Sequence, residues 1–136
     1  MSFSLNEVHM TLRKALCGRG LAFGVADDFG AVGARLSSGT TADGIATVLA
    51  LDNDTLLDLL YRVETALGAS EGSQLDSELE RKLADQLQGQ PFPRERACAI
   101  SAESWKHALD LSHLTYVPES EESRLAGAGA GTNDND

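Results

Sequence analysis

The sequence predicts a mainly α fold: one small single-domain bundle of about five or six helices with an irregular, glycine-rich C-terminal tail. Three observations carry this prediction. Aromatic residues make up 5% of the chain against 42% hydrophobic, so the core must be assembled from Leu, Ala and Val, as packed helices are. Apolar residues recur at three- and four-residue spacing along most of the first 113 positions. Ser, Thr or Asp precedes several of these stretches, where a side-chain oxygen can satisfy the first free amides of a helix. The alternative is an α+β arrangement with a short strand near 94–100. A chain of 136 residues is enough for one core and short for two, so the expected division is a helical domain over 1–118 and a Gly/acidic tail over 119–136.

The elements follow in order. Ser4 and Glu7 form a capping-box pattern that opens a first helix. Leu5, Val8, Leu12, Ala15 and Leu16 share its apolar face, and Asn6, His9, Arg13 and Lys14 its polar one. Gly18 and Gly20 stop it, with Arg19 between them near the negative end of the helix dipole. A second helix, Phe23 to Leu36, carries Val25, Phe29, Val32 and Leu36 inward, with Asp28 and Arg35 on the opposite side. Gly24, Gly30 and Gly33 inside it cost about 1 kcal/mol each relative to Ala. Close approach of a neighbouring helix along Ala26, Gly30 and Gly33 is the expected account; a ligand contact or a broken helix is the alternative.

Thr41 is the expected cap of a third helix, Ala42 to Leu51, with Ile45, Val48 and Leu49 inward. Asp52-Asn53-Asp54 breaks the chain and caps a fourth, Thr55 to Leu67, with Leu56, Leu60, Val63 and Leu67 in a seam widened by Leu57 and Leu59. The oxygens of that turn lack the glycine and distal Glu of a calcium loop, so an N-cap explains them. After a polar linker over 69–73, a fifth helix runs from Gln74 to Gln88 with Leu75, Leu79, Leu83 and Leu87 four apart. Glu78–Lys82 and Arg81–Asp85 are its i,i+4 pairs, and the helix is expected to lie across the core surface. Pro91 and Pro93 mark a boundary. Residues 94–100 are ambiguous between loop and a short extended piece. Ser101 caps a last helix reaching about His113, with Trp105, Ala108, Leu109 and Ser112 on one face.

Charge separates the chain into two parts. Residues 1–51 contain four basic and four acidic side chains, and residues 52–136 seven basic and seventeen acidic, which accounts for the whole net charge of −10. No cluster of Lys and Arg suits a phosphate backbone, so neither nucleic acid nor an anionic membrane is an expected partner. The neutral N-terminal helices are the better surface for a protein partner or a homo-oligomer. Cys17 and Cys98 match no metal or redox spacing, and no apolar run approaches the roughly 20 residues of a membrane span. With no signal peptide evident, the expected location is cytoplasmic, with reduced thiols.

No catalytic set emerges. His9, His107 and His113 are the imidazoles, and none stands in a recognised metal or nucleophile motif. No cofactor or metal is expected. The unusual stretch is the tail, where Gly127, Gly129 and Gly131 alternate with alanine downstream of Ser120, Ser123 and Arg124. Such a composition suits a flexible terminus, since glycine and small side chains bury little. The same residues also suit a ligand site: glycine amides admit an anion closely, and two hydroxyls and a guanidinium supply donors. Extended backbone packed into a groove is a third account.

Two segments bear a family resemblance. Ser4-Leu-Asn-Glu-Val8, Arg13-Lys-Ala15, Gly18, Gly20-Leu21, Gly24 and Ala26-Asp-Asp28 are similar to the start of an uncharacterised bacterial family of small proteins, a domain of unknown function whose members open with SLNEVE. Thr115-Tyr-Val-Pro118, Ser120, Ser123-Arg124, Gly127 to Gly131 and Asp134-Asn-Asp136 resemble its close. The resemblance covers roughly the first forty and the last thirty residues. His9 replaces an acid of the motif, Phe23 a Trp and Asn133 an Asp, and the middle, Asp52 to Arg96, matches nothing. The resemblance implies an ordered Tyr116–Arg124 segment against the helices, but no activity. The N-terminal helices also resemble those of the non-Rossmann malate/L-lactate dehydrogenases, without a cofactor-binding segment, so NAD is not implied.

Two functional expectations result. The first is a non-enzymatic helical accessory or protein-interaction protein of bacterial metabolism. The alternative is an enzyme or binding protein for a small anionic metabolite, using Ser120, Ser123, Arg124 and the glycine amides, with His9 or His107 as proton-transfer group.

Overall fold

A computed structural model describes residues 2–38, 42–69, 75–93 and 98–115. Its elements are β1 (Ser2–Phe3), α1 (Leu5–Gly18), α2 (Phe23–Ser37), α3 (Gly44–Leu49), α4 (Asn53–Gly68), α5 (Glu78–Leu87), β2 (Cys98–Ala99) and α6 (Ala102–Ser112), closed by a 3-10 turn, His113–Thr115. The fold is mainly α, with six α-helices among the described residues, in keeping with the composition.

α1 begins where expected. Ser4 Oγ accepts from Glu7 N at 3.0 Å and Glu7 Oε1 accepts from Ser4 N at 2.9 Å, which completes the capping box. It ends in a Schellman turn: Leu21 N bonds Leu16 O and Gly20 N bonds Cys17 O, with Gly20 at φ 98°. That left-handed backbone favours glycine, and Leu16 and Leu21 are both buried beside the turn. Arg19 does not serve its own helix's dipole as expected. Its guanidinium reaches Leu49 O at 3.2 Å, Leu51 O at 2.6 Å and Asn53 Oδ1 at 2.9 Å, so it satisfies carbonyls at the end of α3 and ties them to the start of α4. Asn53 Nδ2 returns a bond to Arg19 O at 2.8 Å.

The glycines of α2 mark where other helices cross it. A Cβ on Gly30 would lie 2.8 Å from His9 O and 3.0 Å from Arg13 N, so α1 passes directly over it. Gly33 lies under the Leu12 side chain and beside Gly44, where α3 begins. Ser37 is fully buried at this junction and fully used: Oγ donates to Gly33 O and accepts from Gly44 N, both at 2.8 Å. A similar contact joins α1 to α6, where Gly18 meets the Leu111 carbonyl. Leu12, Leu16, Phe29, Val32, Ile45, Val48, Leu56, Leu83 and Ile100 form the continuous core that results.

Several boundaries differ from expectation, each for a local reason. α3 starts at Gly44 because Asp43, not Thr41, is its N-cap, accepting from Ala46 N at 2.9 Å; Thr41 lies outside the described residues. Asp52 caps α4 as an acceptor from Thr55 N, which brings the helix start forward to Asn53. α5 starts at Glu78, since Ser77 and Glu80 form a second capping box, and Leu75 and Asp76 precede it. Arg81 pairs with Glu78 at 3.0 Å rather than with Asp85, and Glu78 also holds Lys82 at 3.4 Å. The seam of α4 is Leu56, Leu59 and Val63; Leu57 and Leu67 are exposed. α5 does lie across the core, burying Leu83 and Ala84 against α2 and α4. The ambiguous stretch before α6 contributes β2, which pairs antiparallel with β1, Ser2 opposite Ala99 and Phe3 opposite Cys98. Phe3 stacks on Trp105 at 3.8 Å, fastening the N-terminus to α6.

Candidate functional site

The tail residues proposed from sequence as a ligand site, Ser120, Ser123, Arg124, Gly127, Gly129 and Gly131, all lie outside the described residues. Among the described residues, an assembly of charged and aromatic side chains stands on α1 and α2, in the neutral part of the sequence.

It is built from local periodicity. His9 and Arg13 are four apart on α1, and Phe23 and Asp27 four apart on α2, so each pair projects from one face of its helix. Gly30 lets the two helices approach closely enough for these side chains to meet. His9 Nε2 lies 2.9 Å from Asp27 Oδ1, and Arg13 Nη1 lies 3.5 Å from the same oxygen. The Arg13 guanidinium sits 4.9 Å from the centroid of the Phe23 ring, which is 61% exposed. Phe92, from the segment after α5, adds a second exposed ring, tilted toward His9 at 5.7 Å.

Arg35 supports Phe92 from below. The pattern of α2 placed Arg35 on the solvent side, yet it is only 6% exposed. Three acceptors explain how a guanidinium is buried here: Gln86 Oε1 at 3.0 Å, Pro91 O at 3.3 Å and Gln90 O. The Gly89 turn that closes α5, at φ 75°, aims two of those carbonyls at it. Phe92 lies over the guanidinium at 4.8 Å. Burial lowers the Arg35 pKa, opposed by the charge of Asp85. Sequence periodicity could not reveal this, because the acceptors are more than fifty residues away along the chain.

Asp28, half-buried beside this surface, has its carboxyl pushed above the usual range, first by burial. A hydrogen bond from Gln86 opposes the shift, Asp27 and Glu64 add to it, and His9 counters them. Burial also raises the Cys17 thiol, with Arg13 lowering it and Asp27 raising it. A thiol shifted upward is a poor nucleophile at neutral pH.

The remaining imidazoles do not converge. His107 lines a shallow cleft between α3 and α6 with Ala46, Leu49, Ala50, Glu103 and Ser104. His113 is exposed at the start of the 3-10 turn. No group of three His, Cys, Asp or Glu side chains is placed to hold a metal among the described residues. A His–Asp pair such as His9–Asp27 serves general base catalysis when a substrate cleft opens on it. Three clefts among the described residues, at α3–α4, α4–α5 and α3–α6, are lined by side chains other than His9.

No family model, curated protein or solved structure matches the chain. What the geometry offers is a prearranged surface: two exposed rings, each carrying a guanidinium fixed by other partners, with a His–Asp pair between them. No helix among the described residues is long and apolar enough to cross a membrane.

Proposed function

We propose that this chain is a non-enzymatic helical interaction protein that presents the Phe23–Arg13–His9–Phe92 face of its N-terminal helices to a protein partner. The observation supporting this most directly is Phe23. A phenylalanine left 61% exposed forgoes much of the roughly 1.5–3 kcal/mol that burying it would contribute. Its ring is nevertheless held beneath Arg13, which Asp27 orients. Aromatic and Arg side chains dominate the energetics of protein interfaces, and rotamers fixed before contact lower the entropy lost on binding. The Arg13 and Asp27 charges on this face are already paired with each other, so neither would be buried unpaired against a partner.

The glycine strip of α2 is not the docking surface, since α1 and α3 occupy it. The outward edge of the same two helices takes that role. Sedimentation velocity and pull-down from the native cytosol, each with wild-type protein and Phe23→Ser, provide the test. Self-association or partner capture that disappears in the variant, with an unchanged circular dichroism spectrum, is the expected result. A wild-type protein that stays monomeric and captures nothing that Phe23→Ser fails to capture would sink the proposal.

A further inference from the structure

A second surface, on the opposite kind of chemistry, lies on α4. Leu57 and Tyr61 are 43% and 71% exposed and four residues apart, so they stand one turn from each other on the same face. Helical spacing puts Asp54 and Asp58 along one side of this pair and Glu64 along the other. None of these three carboxylates has an ion pair among the described residues. The nearby cation, Arg62, is already taken: its Nη1 lies 2.7 Å from Glu80 Oε2, a carboxylate that is itself buried and also accepts from Asp76 N and Ser77 N. The face is therefore apolar at its centre and negative around its edge.

Beside Tyr61 a cleft of about 320 Å3 runs between α4 and the start of α5. Val63, Ala66 and Leu75 line it with aliphatic surface, Asp76 adds a carboxylate that has no ion pair among the described residues, and Arg62 and Glu80, which also line it, neutralise each other as an ion pair. Such a cleft accepts a long side chain with an apolar stem and a cationic end. A second copy of this chain would bring the same carboxylates face to face, so self-association here is disfavoured.

We propose that the α4–α5 face, Leu57 and Tyr61 within the frame of Asp54, Asp58, Glu64 and Asp76, docks a cationic amphipathic helix of a partner protein. Its apolar residues cover Leu57 and Tyr61, and its Lys or Arg side chains meet the carboxylates. Leu57 and Tyr61 are not part of the Phe23 face, though Glu64 at the edge also acts on Asp28 beside it, and the proposal stands whether or not that face has a partner.

The test uses the full chain and a synthetic amphipathic helix of Leu and Lys, roughly five turns long, followed by calorimetry and amide NMR shifts. The peptide is expected to bind with an affinity that falls as salt rises, moving resonances of α4 and the start of α5. Tyr61→Ala, and separately the double variant Asp58→Asn with Glu64→Gln, should each weaken binding about tenfold. A control of equal charge change, Glu103→Gln with Asp110→Asn on α6, should leave it unchanged. The proposal is overturned by absence of binding, by equal binding of a Leu/Glu peptide, or by a control that loses as much as the α4 variant. The last result would mean that only the overall negative field attracts the peptide. Self-association abolished by Tyr61→Ala would replace the cationic partner with a second copy, and so would also overturn it.

Discussion

Asp28 and Asp43 show how similar side chains are set against each other by their surroundings. Burial raises the Asp28 pKa, so between its unfolded value of about 3.9 and the higher folded one the native state holds more protons. Stability therefore falls as pH rises through that window, and the full cost is present at neutral pH. Asp28→Asn should raise the melting temperature at pH 7, and the gain should vanish below about pH 4; a gain that does not change with pH would contradict this. Burial also acts to raise Asp43, but bonds from Ala46 N and Ser101 N, with the Ser104 and Ser101 hydroxyls, outweigh it and the pKa is lowered. Its stabilisation is present above the unfolded value and lost as pH falls through the folded one. Asp43 Oδ2 accepts from Ser101 N at 3.1 Å while Oδ1 caps α3, so one carboxylate starts α3 and fastens it to the start of α6. Asp43→Ala should cost about 1–2 kcal/mol in urea unfolding at pH 7, with the difference narrowing toward acid pH. The sequence placed Asp28 on the polar side of α2 and assigned the α3 cap to Thr41. It could show neither the Gln86 contact nor the Ser101 contact, because both partners are distant in sequence.

Among elements, α2 decides the packing. Gly24 and Gly30 are the same residue in the same helix, and a helix-propensity scale treats them alike. Nothing lies within 4 Å of a Cβ built on Gly24, whereas one on Gly30 would press on the backbone of α1. Gly24→Ala should stabilise the protein by about 0.5–1 kcal/mol. Gly30→Ala should destabilise it by about 1–3 kcal/mol despite the same propensity gain, since backbone atoms of α1 must move, and Gly30→Leu should do more. Thermal unfolding of the two alanine variants checks both signs. The close approach was legible from the Ala26, Gly30, Gly33 spacing. That Gly33 would face the start of α3 as well as Leu12 was not. The link between α4 and α5 rests partly on Glu80, which closes a capping box and pairs with Arg62. The Ser77-x-x-Glu80 signature was present in the sequence but hidden behind the four-residue leucine repeat, which suggested an earlier start.

For the molecule as a whole, the uneven charge distribution has a structural counterpart. The neutral N-terminal part forms the central helix pair and most of the aromatic–Arg surface, and the acidic remainder supplies Phe92 to that surface and α4, α5 and α6 around the pair. Buried Arg35 joins the two parts, because the acceptors of its guanidinium all come from α5 and the turn after it. Arg35→Met should leave the Gln90 and Pro91 carbonyls without this donor and release Phe92 from its place beside His9. The expected outcome is a loss of about 1–3 kcal/mol in equilibrium unfolding together with faster amide exchange around 88–93. An unchanged exchange pattern there would show that the turn holds itself.

The helical class, the Ser4 capping box and the glycine stop at Gly20 were determined by the sequence, because each depends on neighbours within a turn or two along the chain. Tertiary structure alone decided that Arg19 serves another helix, that Arg35 is buried, that Phe23 and Phe92 meet one patch, and that Leu57 and Tyr61 are left uncovered. Those outcomes depend on which elements come to lie against one another, and the partners are far apart along the chain, as Phe92 is from His9 and Pro91 from Arg35.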